Sequence, residues 1–521
     1  MPQMRANGSE SMEVNCVLSD AVPSLPRGLR GGDTLRIRIQ TLSKKGDGRS
    51  EVSVRIGPQR ELRTYQIEVR RALPDELVDV QLEARRRLRF SARVVRRLEE
   101  AVDRVPPRCA HFGEREVPGK GCGGCSLQSL AYHSQLTFKS KLVEEHLRAA
   151  GLDRVEVHSP IGMEEPFDYR NKMEFSFGDD RARAFACGLY PQGWHNEVIA
   201  IETCHLQSRK TDRIRRVVAE WFEKRQMIPY SGRDNSGFLR TLRVREGKAT
   251  GECLVELVTT GATSVTSSEG EVSATRAMTT FAEFVREQLG DCVTSLYWTQ
   301  HVAVEGKRTE HREQKLFGSD TLRERFRLSD GREMTFEIQP RSFFQPNTRQ
   351  GQVLASLVVD FARRVAKDGR VLDLYCGAGN LGLCVAPYVR EVKGVELVEA
   401  AVNDARRNAQ KNGLSNASFE ASDVGEWLAT DAARNWCAQV DLVLLDPPRA
   451  GLMGGAIDHL TAIGSPFVLY VSCNPESLAR DMAKLVACGY EASDAYPVDM
   501  FPHTPHVETV VLLERGANHG S

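Results

Sequence analysis

The chain lacks the features that direct a protein into a membrane or out of the cell. No apolar run reaches the roughly 18–20 residues that a bilayer-spanning helix needs. The first 25 residues carry acidic and polar side chains where a secretory signal requires an apolar core. We therefore expect a cytoplasmic protein that makes no contact with a membrane.

Net charge is also absent, because 70 Lys and Arg residues balance 70 Asp and Glu residues. The overall charge therefore neither indicates nor excludes a nucleic-acid partner. Residues 1–108, however, hold 22 basic and 15 acidic side chains, an excess of seven positive charges. Seven arginines fall within one short stretch: Arg85, Arg86, Arg87, Arg89, Arg93, Arg96 and Arg97. Such a stripe is either a surface for phosphates or an ordinary solvated face.

A disulfide framework is not indicated either, since the cysteines number 13, an odd count, in a long chain without a secretion signal. In a reducing compartment we expect thiols, metal ligands or catalytic groups. Cys109, Cys122 and Cys125 stand in a Gly-rich stretch, with Cys-x2-Cys spacing between the last two. That pair alone fits half a zinc site or a redox pair. A [4Fe–4S] cluster needs four thiolates, so it would require a fourth, distant cysteine.

Turn signals and hydrophobic periods divide the chain into a tail and three folded regions. Residues 1–30 show no period and are interpreted as a flexible tail. Short β-prone runs separated by turns over residues 31–100 predict a small β-barrel. Residues 105–335 mix strands and helices into an α+β central domain, in which Thr259–Thr280 is interpreted as a loop or insertion. Residues 336–521 alternate strands with helices, which predicts an α/β, doubly wound, Rossmann-like domain.

A cofactor pocket is predicted where the first strand of the last domain ends. Strand Val371–Leu374 runs into Tyr375-Cys-Gly-Ala-Gly-Asn380, whose glycines let the backbone approach a ligand closely. The next strand ends at Glu396, 19 residues beyond Gly377. A carboxylate at that position can accept hydrogen bonds from both hydroxyls of a ribose. Asp423 lies further on, where it would either contact an adenine or cap a helix.

Reacting groups are predicted at two further strand ends. Asp446 and Cys473 each follow an apolar strand, and ligands of open α/β sheets bind at the carboxyl ends of strands. A thiolate that adds to carbon 6 of uracil activates carbon 5 toward a methyl donor, and a base must then remove the proton from carbon 5. Cys473 at a strand end satisfies the first need, and Glu508, on a neighbouring loop just before its strand, satisfies the second. A buried structural thiol is the alternative for Cys473, and His503 and His506 are interpreted as packing or hydrogen-bonding residues.

Six motifs stand in the order of a known family. They are Phe343-Phe-Gln-Pro-Asn347, Leu372-Asp-Leu-Tyr-Cys-Gly-Ala-Gly-Asn380, Gly394-Val-Glu396, Leu445-Asp-Pro-Pro-Arg449, Tyr470-Val-Ser-Cys-Asn-Pro475 and Asp499-Met-Phe-Pro-His-Thr-Pro-His-Val-Glu508. By these motifs the chain resembles the RNA 5-methyluridine methyltransferases of the RlmD/TrmA type. The closest resemblance is to the RlmD-like branch, which acts on 23S rRNA.

This resemblance implies a class I methyltransferase domain that uses S-adenosylmethionine. Gln345, Tyr375, Glu396 and Asp446 look like the contacts to that methyl donor. Cys473 looks like the nucleophile and Glu508 like the general base. Residues 31–97 resemble a TRAM module, an RNA-binding β-barrel, although Leu73-Pro74-Asp75 departs from the usual Pro-Gly.

The resemblance also implies a [4Fe–4S] cluster, because similar family members carry one. Cys109, Cys122 and Cys125 match three of its ligands. Cys204 matches the fourth, and Cys187 is the alternative. The first gap between cysteines is longer than usual, which we interpret as an insertion over Glu114–Gly121. The alternatives for these cysteines are a zinc site or no metal at all.

Three other functions remain open from the sequence. The same chemistry would serve a tRNA uridine as well as one in 23S rRNA. An amino-group methyltransferase would suit an Asp-Pro-Pro followed by an aromatic residue, but Arg449 follows here and Cys473 would have no role. A non-catalytic iron–sulfur protein that binds RNA would also leave Cys473 idle. We expect a monomer in each case.

Overall fold

The computed structural model describes residues 11–16, 22–114, 117, 119–180, 183–303, 306, 309–453 and 455–516. The chain divides into two compact units with hydrophobic cores of their own. The smaller unit comprises Met1–Arg108, Cys125–Phe138 and His503–Pro505, and the larger comprises Cys109–Gly124, Lys139–Pro502 and His506–Ser521. None of the described helices is both long enough and apolar enough to span a membrane.

The smaller unit contains one sheet of eight strands. They are β1 (Glu13–Asn15), β2 (Ser24–Leu25), β3 (Thr34–Arg38), β4 (Thr41–Leu42), β5 (Gly48–Ile56), β6 (Glu61–Val69), β7 (Leu77–Arg86) and β8 (Arg89–Glu99). Their order is β1-β3-β7-β8-β6-β5-β2, with β4 paired to β5. Buried and exposed residues alternate along β5 and β7, as in strands with one face on a core. The predicted strand-rich N-terminal domain is confirmed.

Two details of this unit refine the sequence-based expectations. β1 and β2 lie inside the segment interpreted as a tail, whereas residues 1–10 and 17–21 lie outside the described residues. The Arg stripe falls on β7, β8 and the turn between them. Arg93 donates to Gln81 at 2.6 Å and Arg97 lies 3.6 Å from Glu76. The exposed arginines of the stripe are Arg85, Arg86, Arg87 and Arg89 near the turn, and Arg96 further along β8.

The larger unit begins with a seven-stranded sheet. Its strands are β10 (Lys172–Asp180), β11 (Arg183–Leu189), β12 (Ile199–Ala200), β13 (Leu239–Glu246), β14 (Cys253–Thr260), β17 (Ser295–Val302) and β18 (Glu310–Gly318). Their order is β12-β11-β10-β13-β14-β17-β18. The helices of this part of the chain are α1 (Tyr132–Ala149), α2 (Arg209–Lys224) and α3 (Ala274–Leu289), and a 3-10 turn spans Gly290–Cys292.

The prediction of a loop over Thr259–Thr280 is wrong. The segment holds the end of β14, a hairpin of β15 (Ser264–Ser267) and β16 (Gly270–Ser273), and the start of α3. Several of its Ser, Thr and Gly residues lie in the hairpin and at the N-terminal cap of α3. The side chain of Ser273 accepts a hydrogen bond from the backbone N–H of Arg276 and so begins α3.

The last part of the larger unit is the predicted α/β domain, and the α/β doubly wound prediction is confirmed. A hairpin of β19 (Leu322–Arg327) and β20 (Glu333–Ile338) precedes it. The strands of its sheet are β9 (Glu156–Val157), β21 (Arg370–Leu374), β22 (Glu391–Glu396), β23 (Ala417–Ala421), β24 (Leu442–Leu445), β25 (Phe467–Ser472), β26 (Tyr490–Glu491), β27 (Asp494–Val498) and β28 (Glu508–Arg515). The order is β23-β22-β21-β24-β25-β28-β27-β9, with β26 paired to β28.

Helices cover both faces of this sheet. They are α4 (Thr348–Val365), α5 (Asn380–Val385), α6 (Glu399–Lys411), α7 (Val424–Leu428), α8 (Asp431–Cys437), α9 (Ala456–Ile463) and α10 (Pro475–Ala487), with a 3-10 turn at Ala386–Tyr388. Alternate residues of β24 enter two different cores: Leu442 and Leu444 enter one, Val443 and Leu445 the other. A strand buried on both sides is the reason that this segment shows a continuous apolar run.

Candidate active site

The strands β21, β22, β24 and β25 are mutually parallel, so their carboxyl ends meet at one edge of the sheet. The turn after β21 has an unusual backbone, with positive φ at Tyr375 (60°), Gly377 (55°) and Gly379 (79°). A side chain at Gly379 would also meet Ala405, Leu383 and Phe419 at 3.1 Å. Glycine is therefore required there by both conformation and space.

Glu396, the last residue of β22, is fixed against this turn. One carboxylate oxygen accepts from the backbone N–H of Gly377 at 3.1 Å, and the other accepts from the N–H of Val398 at 2.9 Å. Each oxygen retains a lone pair for a further donor. The carboxylate is thus held in place with capacity left for a pair of hydroxyl groups.

Two buried polar atoms near this turn have no hydrogen-bond partner among the described residues. They are Oδ1 of Asp373 and Oδ1 of Asn380, and both residues line the cavity described below. The other Asp373 oxygen accepts from the N–H of Gly382 at 3.1 Å. Burial, and then the charge of Asp446, raise the pKa of Asp373 well above its ordinary value. Buried polar atoms are normally paired, so this pocket fits a ligand that carries hydrogen-bond donors.

Asp423 caps a helix, which is one of the two roles that the sequence allowed. Its side chain caps α7 by accepting from the N–H of Glu426 at 3.1 Å, and it also lines the cavity. A capping role therefore does not exclude a contact with a bound ligand.

Cys473 lies between β25 and α10 on a turn that its neighbours hold. Asn474 caps α10 by accepting from the N–H of Glu476 at 3.2 Å, and its amide donates to the carbonyl of Arg449 at 2.8 Å. Ser472 accepts from the N–H of Asn474 at 3.2 Å. The thiol is half-buried. Burial, and then the charge of Glu508, raise its pKa to about 11.

Glu508 reaches the same place through strand pairing. It is the first residue of β28, which runs antiparallel to β25 with Ser472 opposite Thr509. That register places Glu508 across from Cys473. The Glu508 carboxyl is buried, and burial followed by the charge of Asp446 raises its pKa to about 8. The sequence indicated only that a loop could bring Glu508 near, because the pairing of β28 was not readable from the motif.

Asp446 and Arg449 are two further ionisable groups at this edge of the sheet. Asp446 follows β24, and burial raises the pKa of its carboxyl to about 7. Arg449 is exposed, and its positive charge acts to lower the pKa of both Cys473 and Glu508. Three acidic groups and one cation therefore share the site, and the charge of one group affects the protonation of another.

Gln345 is held by a residue of the seven-stranded part of the unit. The amide of Asn171 donates to the carbonyl of Gln345 at 2.8 Å and to the hydroxyl of Thr348 at 2.9 Å, and its backbone N–H donates to Pro346 at 2.9 Å. Asn171 is buried. Its place in the motif Tyr169-Arg-Asn-Lys-Met-Glu-Phe175 was the signal that could have identified it.

A buried ion pair holds the loop that leads to Glu508. The ammonium of Lys139 in α1 bonds the carboxylate of Asp499, and it donates to the carbonyl of Phe501 at 3.0 Å. Both charged side chains are fully buried. Tyr169 also donates to the carbonyl of Pro502 at 3.1 Å. No sequence pattern indicated Lys139, because lysines on an amphipathic helix normally face solvent.

All six predicted residues of the site line one cavity of about 1340 Å³: Gln345, Tyr375, Glu396, Asp446, Cys473 and Glu508. Four apolar side chains that are largely exposed also line it: Phe343, Leu397, Val398 and Met453. The cavity thus combines a polar floor at the strand ends with an apolar rim. It has room for a nucleoside-sized cofactor together with a second planar group.

The two histidines occupy the roles expected from the sequence. In the smaller unit, His503 is a hydrogen-bonding residue: its backbone N–H donates to Gln135 at 2.9 Å and its ring lies 3.2 Å from the amide of Gln135. In the larger unit, the His506 ring packs edge-on against Phe501 at 6.0 Å. Burial, and then Arg449, lower the pKa of His506 to about 4.

The structure gives no support for the predicted iron–sulfur site. Among the described residues, no group of three or more His, Cys, Asp or Glu side chains is arranged to hold a metal ion. Cys109, Cys122 and Cys204 belong to the larger unit and Cys125 to the smaller one. The expectation of a [4Fe–4S] cluster is therefore not supported. Its four ligands come from separated loops, whose mutual distances no local motif determines.

Comparison with known proteins gives a consistent result. A family model for tRNA (uracil-5-)-methyltransferases matches residues 287–516. The chain is 34% identical over 455 residues to an uncharacterized RNA methyltransferase of Protochlamydia amoebophila, covering 86% of this chain and 99% of that protein. It is 31% identical over 485 residues to one of Listeria innocua, covering 93% and 98%.

A solved structure is similar over nearly the whole chain. It is the Pyrococcus abyssi tRNA (uracil-54, C5)-methyltransferase in complex with S-adenosyl-L-homocysteine. The two are 27% identical with a TM-score of 0.65, over 92% of this chain and 100% of the other.

Proposed function

We propose, from the premise that this chain belongs to the RNA 5-methyluridine methyltransferase family of the RlmD/TrmA type, that it methylates uridine carbon 5 by covalent catalysis through Cys473. The observation that carries the proposal is the single cavity lined by a thiol, a buried carboxyl across from it and a pocket with unpartnered acceptors. The amino-group and non-catalytic alternatives leave that arrangement without a use.

Gln345, Tyr375, Glu396 and Asp446 would hold S-adenosylmethionine. When bound, this cosubstrate supplies an electrophilic methyl group on a sulfonium. The free lone pairs of Glu396 suit the ribose hydroxyls, and the unpartnered oxygens of Asp373 and Asn380 suit donors elsewhere on the molecule. Tyr375 is half-buried and presents a ring to the cavity.

The reaction begins when the Cys473 thiolate forms a bond to carbon 6 of the uracil. The uracil ring thereby becomes an enolate, which carries the electron pair of the former carbon 5–carbon 6 double bond. Carbon 5 then bonds to the methyl group, and the bond between that methyl group and the sulfonium sulfur breaks. Glu508, as carboxylate, removes the remaining proton on carbon 5, the double bond re-forms and the thiolate leaves. The pKa of Glu508, about 8, suits a group that must gain and lose a proton near neutral pH.

For the target we propose 23S rRNA, on the motifs shared with the RlmD-like branch. The second candidate is tRNA, which is favoured by the name of the Pyrococcus abyssi neighbour and of the matching family model. Both candidates require the same chemistry, so the cavity alone does not discriminate between them.

Mapping 5-methyluridine in rRNA and tRNA from cells that lack the protein tests both parts of the proposal. We expect at least one 23S rRNA uridine to lose its methyl group and to regain it on expression of wild-type protein but not of Cys473→Ala. Loss confined to tRNA would establish the second candidate. Unchanged methylation in both RNAs would contradict the proposed function.

No step of this mechanism passes through an iron–sulfur cluster. The cluster stays a prediction from the cysteine motif and the family resemblance. Anaerobic iron and sulfide analysis of the purified protein tests it, with about four irons per chain expected from a [4Fe–4S] cluster. Stoichiometric zinc without sulfide, or no metal, would contradict it.

A further inference from the structure

One face of the seven-stranded sheet changes from apolar to polar along its length. Leu254 and Tyr297 pack into the hydrophobic core that they share with the α/β domain. Glu256, two residues beyond Leu254 on β14, is buried and bonds Arg243 at 3.0 Å and Thr299 at 2.6 Å. The face beyond the core is therefore built from charged and hydroxyl side chains.

Further along the same face, basic and aromatic side chains gather. His301 and His311 are directly opposite each other on β17 and β18, with ring centroids 5.0 Å apart. Arg240 stacks on Tyr230, with its guanidinium carbon 4.1 Å from the ring centroid. Arg240 also interacts electrostatically with both histidines, and Arg341 with His311. These five residues are called the basic strip: Tyr230, Arg240, His301, His311 and Arg341.

The two arginines of the basic strip differ from their neighbour Arg243, whose positive charge is neutralised by ion pairs. Arg243 has ion pairs with Glu256 at 3.0 Å and Glu174 at 3.5 Å. Within the described part of the chain, Arg240 and Arg341 form no ion pair. Glu313 interacts electrostatically with Arg341 without such a contact. Like charges placed together without partners cost stability, so their presence points to an anionic ligand.

The two histidines contribute rings more than charge. Burial, and then the nearby arginines, lower the pKa of both His301 and His311 below the ordinary value. In the described structure, Nδ1 of His301 is buried without a hydrogen-bond partner. The strip thus offers two cations together with three flat rings, those of Tyr230, His301 and His311.

The strip is continuous with the candidate active site. Arg341 lines the cavity together with Glu313, which lies two residues from His311 on the same face of β18. Phe343, also at the cavity, is 63% exposed. A ligand bound along the strip would therefore extend to the mouth of the cavity.

We propose that the basic strip binds single-stranded RNA on one side of the target uridine. The arginines would contact phosphates, and the rings would stack on unpaired bases. Cationic side chains interleaved with aromatic ones are the arrangement that binds single strands without reading sequence. A base must also leave its stack to reach a half-buried nucleophile, which favours an unpaired strand next to the target uridine. This proposal rests on the proposed function, because it takes RNA as the substrate.

The test uses the full-length protein and an RNA oligonucleotide with unpaired flanks around the mapped uridine. Binding is measured over a range of salt concentrations for wild type, Arg240→Gln, Arg341→Gln and the double variant. The slope of log affinity against log salt should fall by about 0.7 for each phosphate contact removed. Arg276→Gln, at an exposed position on α3, is the matched control and should keep the wild-type slope. A wild-type midpoint of urea unfolding in each variant verifies the fold.

Stacking is tested separately at Tyr230. Tyr230→Ala should weaken RNA binding by about tenfold at all salt concentrations, whereas Tyr230→Phe should retain it, since only the ring is needed. An unchanged salt slope in the double arginine variant would overturn the proposal. So would a poly-glutamate peptide that competes as well as single-stranded RNA of equal length. Failure of the wild-type protein to methylate any uridine would instead contradict the proposed function.

Discussion

The candidate active-site cavity and the β7–β8 hairpin both carry many ionisable side chains, but in opposite surroundings. In the cavity, Asp446, Cys473 and Glu508 are wholly or partly buried, and burial raises their pKa values to about 7, 11 and 8. At the hairpin, the arginines from Arg85 to Arg89 are exposed. Buried charges interact strongly and are little screened, whereas exposed charges are weakened by water and salt.

This difference sets what a substitution can do in each region. A change in the cavity alters the protonation of its neighbours as well as removing a group. A change at the hairpin removes one of several exposed positive charges and leaves the others unaltered. Effects should therefore be large and specific in the cavity, and small, additive and dependent on salt at the hairpin.

The largest effect is expected from Cys473→Ala. Without the thiolate, no bond to carbon 6 forms, so methyl transfer should fall to background in an assay with labelled S-adenosylmethionine. Binding of the methyl donor should remain, because its predicted contacts lie on other side chains of the cavity. Cys488→Ala, at the C-terminal cap of α10, is the control and should retain activity. Normal turnover by Cys473→Ala would show that the mechanism is not covalent.

Glu508→Gln should stop turnover at a later step. Addition and methyl transfer can proceed, but no base removes the carbon 5 proton. We expect a denaturation-resistant protein–RNA adduct that carries labelled methyl, which is absent with Cys473→Ala. Glu514→Gln, an exposed position on the same strand, is the control and should turn over without adduct. If Glu508→Gln turns over normally, another group is the base.

The same variant should change the pH dependence of adduct formation. The charge of Glu508 acts to raise the pKa of Cys473. Removing that charge lowers the thiol pKa, so the thiolate fraction at a given alkaline pH increases. The rate of adduct formation, measured in single turnover, should therefore begin to rise at a lower pH in Glu508→Gln than in wild type. An unshifted profile would show that the two groups do not interact.

How far this site was predictable depends on how each residue is positioned. Glu396, Asp446 and Cys473 each end or follow a parallel strand, and the carboxyl ends of parallel strands must share an edge. Their convergence was predictable from sequence, and the cavity that they line together agrees with it. Glu508 was expected to come near through its loop, and its exact position was not predictable, because the antiparallel register of β28 depends on the completed sheet.

Residues that support the site were predictable only in part. Asn171 bonds a loop 174 residues away, a contact that no local pattern indicates. Lys139 violates the rule that lysine stays in water, and only its pairing with Asp499 accounts for its burial. The cysteine set stays a prediction. Its spacing alone fitted half a zinc site or a redox pair, and the cluster came from the family resemblance, because the arrangement of a ligand set drawn from distant loops cannot be read from spacing.

A middle-sized effect is expected from Lys139→Met, which leaves the Asp499 carboxylate buried without its ion pair. Breaking a buried pair in this way costs about 3–5 kcal/mol of unfolding free energy. Urea unfolding followed by tryptophan fluorescence should show a clearly lowered midpoint. The double variant Lys139→Met, Asp499→Leu should recover much of the loss, since no charge is left buried. Lys141→Met, exposed on the same helix, is the control. An equal loss in Lys141→Met would show that the ion pair is not the cause.

The smallest effect is expected at the hairpin, from single substitutions such as Arg87→Gln. Point substitutions are preferable to deletion of the strand-rich region, because Leu42 and Leu73 pack against Leu127 and Leu130 and would leave them uncovered. If the exposed arginines contact phosphates, each substitution should lower the salt slope of RNA binding by about 0.7–0.9 and the quadruple variant of Arg85, Arg86, Arg87 and Arg89 should add these losses. Arg97→Gln tests the contrast, because Arg97 lies 3.6 Å from Glu76 and should contribute less to RNA. An unchanged slope in the quadruple variant would show that these arginines are solvated surface.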